Sequence, residues 1–413
     1  MRKLEVRLQL GGDAITVGTL VERDRRVLFE YASGFLRSGL QLSPIHLPLR
    51  AGVHEGPPTP FAGLPGVFSD SLPDGWGLLL MDRAFRQRGV SREAIAPLDR
   101  LAFLGTRAMG ALTYHPPTDP EEGFGAAVEL DAMAEQAERL LQGSAEEVLP
   151  ELLRAGGSPG GARPKVVVGF REGDGAMISG AGPLPPGFRA FLVKFGARAD
   201  PADAGAVELA YSRMASAAGI RVPPARIFST PAGGRYFAAE RFDRPEGERR
   251  HVHTLAGLLH ADFRLPSLDY EAYLRATLHL TRDVAAVAEA FRRMVFNVLA
   301  CNRDDHARNF AFLMEPDGTW HHTPAYDLTF SSGPGGEHTM SVAGEGRAPG
   351  RRQFAELAAK MSIEPRARDA ILEQVEAAVG DWPAYAAETG GEDALVGEVQ
   401  RRLGEIRSVA LAP

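Results

Sequence analysis

The chain has 413 residues, 44% of them hydrophobic and 24% charged, with a formal net charge of −7. This is the make-up of an ordinary soluble protein of two or three domains or lobes, and its acidity argues against a generalised nucleic-acid-binding surface. A single cysteine, Cys301, excludes an intramolecular disulfide and any cysteine-rich zinc module. No window approaches the ~18 apolar residues of a membrane span, and Met1 to Leu10 alternates like a strand, unlike a signal peptide, so a cytoplasmic protein is expected.

In chain order, residues 1 to about 115 read as mostly β: Leu4 to Leu10, a Gly11-Gly12-Asp13 turn, Ile15 to Leu20 and Arg26 to Tyr31 form a meander. Within this region Phe68-Ser69-Asp70-Ser71-Leu72-Pro73-Asp74-Gly75-Trp76-Gly77 leads into a helix from Leu78 to Arg88, and taken alone it is a structural helix entry. A Pro- and acid-rich connector and a helix from Leu130 to Leu141 follow. Next comes the glycine-rich run Gly156-Gly157-Ser158-Pro159-Gly160-Gly161-Ala162-Arg163-Pro164-Lys165, opening into a strand from Val166 to Phe170. Such a turn lets backbone N–H groups approach an anion, yet it fits neither the P-loop nor the protein-kinase glycine pattern, and on spacing it reads as a flexible loop.

The strand Phe191 to Phe195 carries Lys194 inside an apolar run, where a lysine needs a partner or a ligand unless it guards a sheet edge. Glu208, on a helix from about Asp203 to Ala218, is the candidate partner. A strand from Tyr236 to Ala239 ends in Glu240-Arg241-Phe242-Asp243-Arg244, and from about residue 246 the chain is helix-rich. The apolar spacing of Val284 to Leu299 predicts a buried helix, and further helices are predicted from Gln353 to Met361 and from Arg366 to Val379, the latter ended by Gly380.

The buried helix delivers the most informative segment, Cys301-Asn302-Arg303-Asp304-Asp305-His306-Ala307-Arg308-Asn309-Phe310. Arg303-Asp304 followed five residues later by Asn309 reproduces the spacing of a kinase catalytic loop, in which the Asp orients and deprotonates the substrate hydroxyl and the Asn holds magnesium. Asp327, in Pro324-Ala325-Tyr326-Asp327-Leu328, falls where a second magnesium carboxylate would sit. Oxygen donors of this kind suit Mg²⁺ and phosphate chemistry. His306 lies between base and metal ligand; holding the loop through a backbone hydrogen bond is preferred for it over acid–base chemistry, because Asp304 already fills that role.

Taken in order, Ser158 to Lys165, Val193-Lys194-Phe195, Glu240 to Arg244, Asp304 to Phe310 and Tyr326-Asp327 resemble the HipA family of serine/threonine kinases, toxins of type II toxin–antitoxin modules. Leu72-Pro73-Asp74-Gly75-Trp76-Gly77 looks like the accessory subdomain of that family. The resemblance implies an α+β, two-lobed protein-kinase-like fold: an accessory β-rich subdomain over 1–115, an N-lobe core with the glycine-rich loop over 116–245, and an all-helical C-lobe over 246–413. It implies ATP and Mg²⁺ between the lobes, with Asp304 as catalytic base, Asn309 and Asp327 as magnesium ligands, and Lys194, supported by Glu208, on the ATP phosphates. Glu240 and Phe242 would contact adenine through their backbone, and Ser158, Gly160, Gly161 and Ala162 would belong to the phosphate-proximal loop. Ser158 would be the autophosphorylation position, and His306 a supporting residue.

The loop is richer in Pro and Gly than the best-known members, and Asp305 stands where glycine is common. The resemblance further implies a helix-turn-helix, HipB-like antitoxin as partner, through which alone DNA would be met, and a translation-related protein such as an aminoacyl-tRNA synthetase as substrate. The alternatives are a kinase-fold nucleotide-binding co-repressor without turnover, or a small-molecule kinase.

Overall fold

The computed structural model describes residues 2–24, 26–118, 125–145, 148, 150–156, 161–180, 182–196, 204–391 and 393–412. The N-terminal meander forms as the alternation predicts, with longer strands. Arg2–Leu10, Asp13–Arg23 and Arg26–Tyr31 pair antiparallel in sequence, Val53–Glu55 adds to one edge, and Leu112–His115 returns to pair with the first strand. Along Arg2–Leu10 the residues Leu4, Val6, Leu8 and Leu10 are buried while their neighbours face outward, the period-two signature of a half-buried strand. The region is less purely β than its sequence suggests. Helices Gly75–Gln87 and Pro97–Leu104 sit beside the sheet, and the first starts three residues earlier than predicted, directly at Gly75.

A second antiparallel sheet has the order Met177–Ser179, Lys165–Phe170, Arg189–Lys194, Arg235–Glu240 and Ala225–Ser229. Every residue of Lys165–Phe170 is buried, because Trp76 and Leu80 of the N-terminal region and the helices Leu130–Leu141 and Pro150–Gly156 share its core. Helix Ala204–Ala217 packs beside the Arg235–Glu240 strand and turns Glu208 inward.

The C-terminal lobe is built on Val284–Leu299, whose bounds match its apolar spacing and whose N-terminus is capped by Asp283 accepting from the N–H of Ala285 at 2.8 Å. Tyr270–Thr281, Pro365–Gly380 and Asp393–Ala410 surround it. Gly380 ends its helix as its last residue, with Asp381 as the cap beyond it, and Trp382–Thr389 follows at once. The lobe was expected to be all-helical but also carries a small antiparallel sheet of His251–Thr254, Ala311–Met314 and Trp320–His322. These strands are three or four residues long, too short for a period to show, and their stability comes from packing under the helices. Together the second sheet with its inward helix and the helical lobe make a two-lobed, kinase-like α+β fold, with the N-terminal sheet as an added unit.

Candidate active site

Lys194, at the end of its strand, points between the lobes and donates to the carboxylates of both Glu208 and Asp327. The first comes from the helix packed behind the sheet and the second from the helical lobe, so one ammonium joins both halves of the molecule. Burial works against the charge on Lys194, but Asp327 and Glu208 outweigh it and raise its pKa. Burial likewise opposes ionisation of Asp327, yet Lys194 and Lys165 hold its carboxyl well below the usual carboxylate range. Glu208, buried and sharing the lysine with a second carboxylate, is pushed up by desolvation.

Lys165 lies directly opposite Lys194 in the strand register. It is buried, which lowers its pKa, while Asp327, Glu208 and Asp74 act in the other direction. Two lysines side by side on one sheet face set two ammonium donors, matched by the carboxylates of Asp327 and Glu208, at the recess, donors of the kind phosphate chemistry uses. In the sequence Lys165 reads only as the end of the phosphate-proximal glycine-rich segment, although the signal that singled out Lys194, a lysine entering a fully apolar strand, is present there too.

The segment after Val284–Leu299 is fixed from beneath. Cys301 takes a positive φ of 50°; Asn302 Nδ2 donates to Asn297 Oδ1 (2.9 Å), Asn297 Nδ2 to the Tyr270 hydroxyl (3.0 Å), and that hydroxyl to Asp305 Oδ2 (2.7 Å). Asp305 is fully buried and also accepts from the N–H of Thr339 (2.8 Å) and pairs with His338 Nδ1 (2.8 Å). An aspartate here pins the loop by side-chain hydrogen bonds.

Asp304 itself is exposed at the loop tip. The surrounding protein still desolvates it, and together with Asp327 and Asp305 this raises its pKa against the pull of His306 and Arg163. Asn309, closing the 3₁₀ turn Ala307–Asn309, donates its Nδ2 to the Asp304 carbonyl at 2.8 Å. That bond turns the amide oxygen away from the loop, free to act as a metal donor. The Tyr326 hydroxyl donates to the Arg308 carbonyl at 2.6 Å, holding the Asp327 segment against the same loop.

His306 holds the loop through its backbone, the carbonyl accepting from the N–H of Asn309 at 2.9 Å. Its Nδ1 is buried with no hydrogen-bond partner among the described residues, and its ring packs edge-on against Phe263 at 5.4 Å. Side-chain bonds to the loop come instead from Asp305.

The N-terminal unit reaches the same place. Asp74 accepts from Arg308 Nη1 at 2.7 Å and from the N–H of Gly161. The N–H of Trp76 donates to the Gly161 carbonyl (2.9 Å), and the Trp76 indole N–H to the Lys165 carbonyl (3.0 Å). Gly75 is obligatory: a Cβ there would lie 2.6 Å from the Cα of Ala162. A segment that reads as a plain helix entry is therefore the clamp on the glycine-rich turn, a role visible only once the two meet in space. Of that turn Gly161 and Ala162 are placed here, whereas Ser158 and Gly160 lie outside the described residues.

The Glu240–Arg244 segment divides in two. Phe242 stacks on Tyr326 with centroids 5.6 Å apart, beside the cleft. Glu240 gives its N–H to the Pro224 carbonyl (2.8 Å) and pairs with Arg189 (3.0 Å). Asp243 is buried and faces away from the cleft chemistry, accepting from Arg241, Arg244 and the N–H of Gly110, which holds its pKa down and fastens the N-terminal unit.

Asp304, Asn309, Asp327, Lys194 and Glu208 thus converge on one cleft. The hard oxygens of Asn309 and Asp327 fit Mg²⁺, and the two lysines with the Gly161 turn fit a polyphosphate. Among the described residues no cluster of three or more His, Cys, Asp or Glu side chains forms a metal site, and no helix is long and apolar enough to cross a membrane.

No curated protein sequence matches the chain. Among solved structures, a chain of the Shewanella oneidensis MR-1 toxin–antitoxin complex of HipA, HipB and operator DNA has a TM-score of 0.71 at 19% identity, covering 98% of this chain and 96% of that one. The Helicobacter pylori proinflammatory kinase CtkA, at 12% identity, covers 54% of this chain and 88% of its own with a TM-score of 0.37, a likeness too slight to bear on fold or activity. Residues 9–115 match the HipA N-terminal domain and residues 157–382, more than half of the molecule, the HipA-like C-terminal domain; the chain belongs to the HipA family.

Proposed function

We propose that this protein is an ATP-dependent serine/threonine protein kinase, the toxin of a HipA-type toxin–antitoxin pair. The observation that carries the reading is Lys194 bridging Glu208 and Asp327 across the lobes, with the Asp304–Asn309 loop packed against the Asp327 segment. Magnesium, when bound, would neutralise charge on the transferring phosphoryl group; Asn309 and Asp327 would hold it.

Lys194 and Lys165 bind and orient the phosphates, and the Gly161 turn, clamped by Asp74 and Trp76, covers them. Asp304, exposed and next to this recess, accepts the proton of the attacking hydroxyl at its carboxylate oxygen. The backbone of Glu240 and Phe242 flanks the adenine side. Ser158, in the same turn, is the proposed autophosphorylation position. A HipB-like helix-turn-helix antitoxin is the proposed partner, by analogy with the Shewanella oneidensis HipA–HipB–DNA assembly, and a translation-related protein such as an aminoacyl-tRNA synthetase the proposed target. The test is incubation with Mg²⁺ and γ-labelled ATP beside Asp304→Asn, followed by mass spectrometry. Labelled serine in the wild type alone, above all at Ser158, is expected; ATP bound but unconverted in both proteins would leave a nucleotide-binding co-repressor.

A further inference from the structure

Away from the cleft, a cavity of about 310 Å³ opens between the segment that follows Asp327 and the C-terminal helix Asp393–Ala410. This lies at the lower end of the range for small-molecule sites, about 300–1,000 Å³. Its lining divides chemically into Val298, Ile406 and Val409 on one hand and Arg303, Arg347 and Arg402 on the other. Val409 is 60% exposed, a large apolar side chain that folding leaves uncovered at the rim.

The charges are unevenly matched. Arg347 faces Glu337 at 3.0 Å and Arg402 faces Glu405 at 3.0 Å. Arg303, only 6% exposed, donates to the carbonyls of Gly336 (2.6 Å) and Arg347 (3.0 Å), and its Nε has no partner among the described residues. Carbonyl dipoles offset a buried guanidinium charge only in part. On the wall itself three guanidinium groups meet one carboxylate, Glu405, which Arg401 also shares, while Glu337 pairs with Arg347 from outside the lining; the excess of positive charge suits an anionic head group.

We propose that this cavity binds a small amphipathic carboxylate, with its head on the arginine side and its apolar body along Val298, Ile406 and Val409. The occupant would bear on the cleft. Arg303 precedes Asp304, its side chain holds the 336–347 segment, and its carbonyl accepts from the Thr339 hydroxyl at 3.1 Å. A ligand that braces Arg303 and Arg347 therefore restrains the loop that carries Asp304.

Octanoate is the probe, titrated into the full chain without nucleotide and followed by calorimetry, with octylamine and octanol as matched controls. Binding is read without phosphoryl transfer, so the outcome is independent of the kinase reading. The variants are Val409→Trp, which fills the cavity from an exposed position, and Arg402→Glu, which reverses a partly exposed charge; circular dichroism checks that both fold. Octanoate binding that weakens at least roughly tenfold in each variant, with octylamine silent and octanol at least roughly tenfold weaker, is expected. The proposal is overturned by an absent response to octanoate, by octanol or octylamine binding equally well, or by either folded variant binding like the wild type.

Discussion

Asp74 joins two loops through one carboxylate: Arg308 donates to one oxygen at 2.7 Å and the N–H of Gly161 to the other. Burial opposes its charge, but Arg308, the Gly161 N–H and Lys165 prevail and hold its pKa below the ordinary aspartate value. A depressed folded-state pKa means that this tie contributes stability above the unfolded-state value and loses it as pH falls through the folded one.

Asp74→Ala leaves Arg308, among the described residues, hydrogen-bonded to the Leu72 and Ser69 carbonyls and removes one of the two ties on the glycine-rich turn, the Trp76 N–H remaining on Gly161. It should cost about 1–3 kcal/mol in urea unfolding and weaken nucleotide binding several-fold. Asp74→Asn, which can still accept from Gly161, should lose less of each. An alanine variant with an unchanged urea midpoint and unchanged nucleotide affinity would dispose of the clamp.

Lys194→Met makes a different prediction, because it removes the cation that hydrogen-bonds both Glu208 and Asp327. Phosphoryl transfer should fall by about 10²–10³ or more, and stability at neutral pH by about 1–3 kcal/mol, since the buried Glu208 carboxylate then faces the part-exposed Asp327 with Lys165 as a remaining cation. Glu208, whose pKa burial already raises, relieves this by taking a proton. With its folded pKa above the unfolded one, the variant should regain stability as pH falls toward the ordinary glutamate value of about 4.3, and Lys194→Met combined with Glu208→Gln should regain it at neutral pH. Urea midpoints across pH decide the matter.

The periodic parts of this architecture are legible in the sequence. Val284–Leu299 shows its apolar stripe, and Lys194 is conspicuous because a charged residue interrupts Phe191-Leu192-Val193. Asp304, Asn309 and Asp327 stand out by spacing alone. What stays hidden is whatever depends on long-range closure. Asp74 and Gly161 are 87 residues apart, and nothing local distinguishes a helix-entry aspartate from one that reaches another loop. Asp305 is hidden for a related reason: a buried aspartate is tolerable only because Tyr270, His338 and Thr339 meet it from elsewhere in the chain. His306 shows the converse, a local bond legible from its place in the loop, made by its carbonyl to the Asn309 N–H while its ring packs on Phe263.

The position of Asp304 predicts the acidic limb of the pH–rate profile. Desolvation first, then Asp327 and Asp305, raise its pKa, while His306 and Arg163 lower it. A base must be deprotonated to act, so the limb of kcat/KM should lie above the ordinary aspartate value of about 3.9. Arg163→Gln removes a cation that favours the carboxylate and should move the limb higher still, whereas Asp304→Asn should cost about 10²–10⁴ in rate. A limb that Arg163→Gln leaves in place would assign it to another group.

The last prediction concerns the seam between the N-terminal unit and the helical lobe. The Gly66 N–H donates to His260 Nε2 at 3.1 Å, and the His260 ring stacks on His46 with centroids 4.1 Å apart. Nε2 can accept only while it carries no proton, and burial, then His46 and His253, lower the pKa of His260 from 6.5 to about 4. Between those values the unfolded chain binds more protons than the folded one, so stability should fall as pH drops through this window and lose nothing further from this group below it. His260 also has a φ of 53°, which asparagine tolerates better than most residues. His260→Asn suits this backbone and removes the titration, but its shorter amide stops short of the Gly66 N–H; it should cost about 1–3 kcal/mol at neutral pH and flatten the decline on acidification. If the variant declines as steeply as the wild type, the titrating group is elsewhere, and His251, whose burial lowers its pKa to about 4 and whose Nε2 meets the Leu42 carbonyl at 3.0 Å across the same seam, is the residue to replace next.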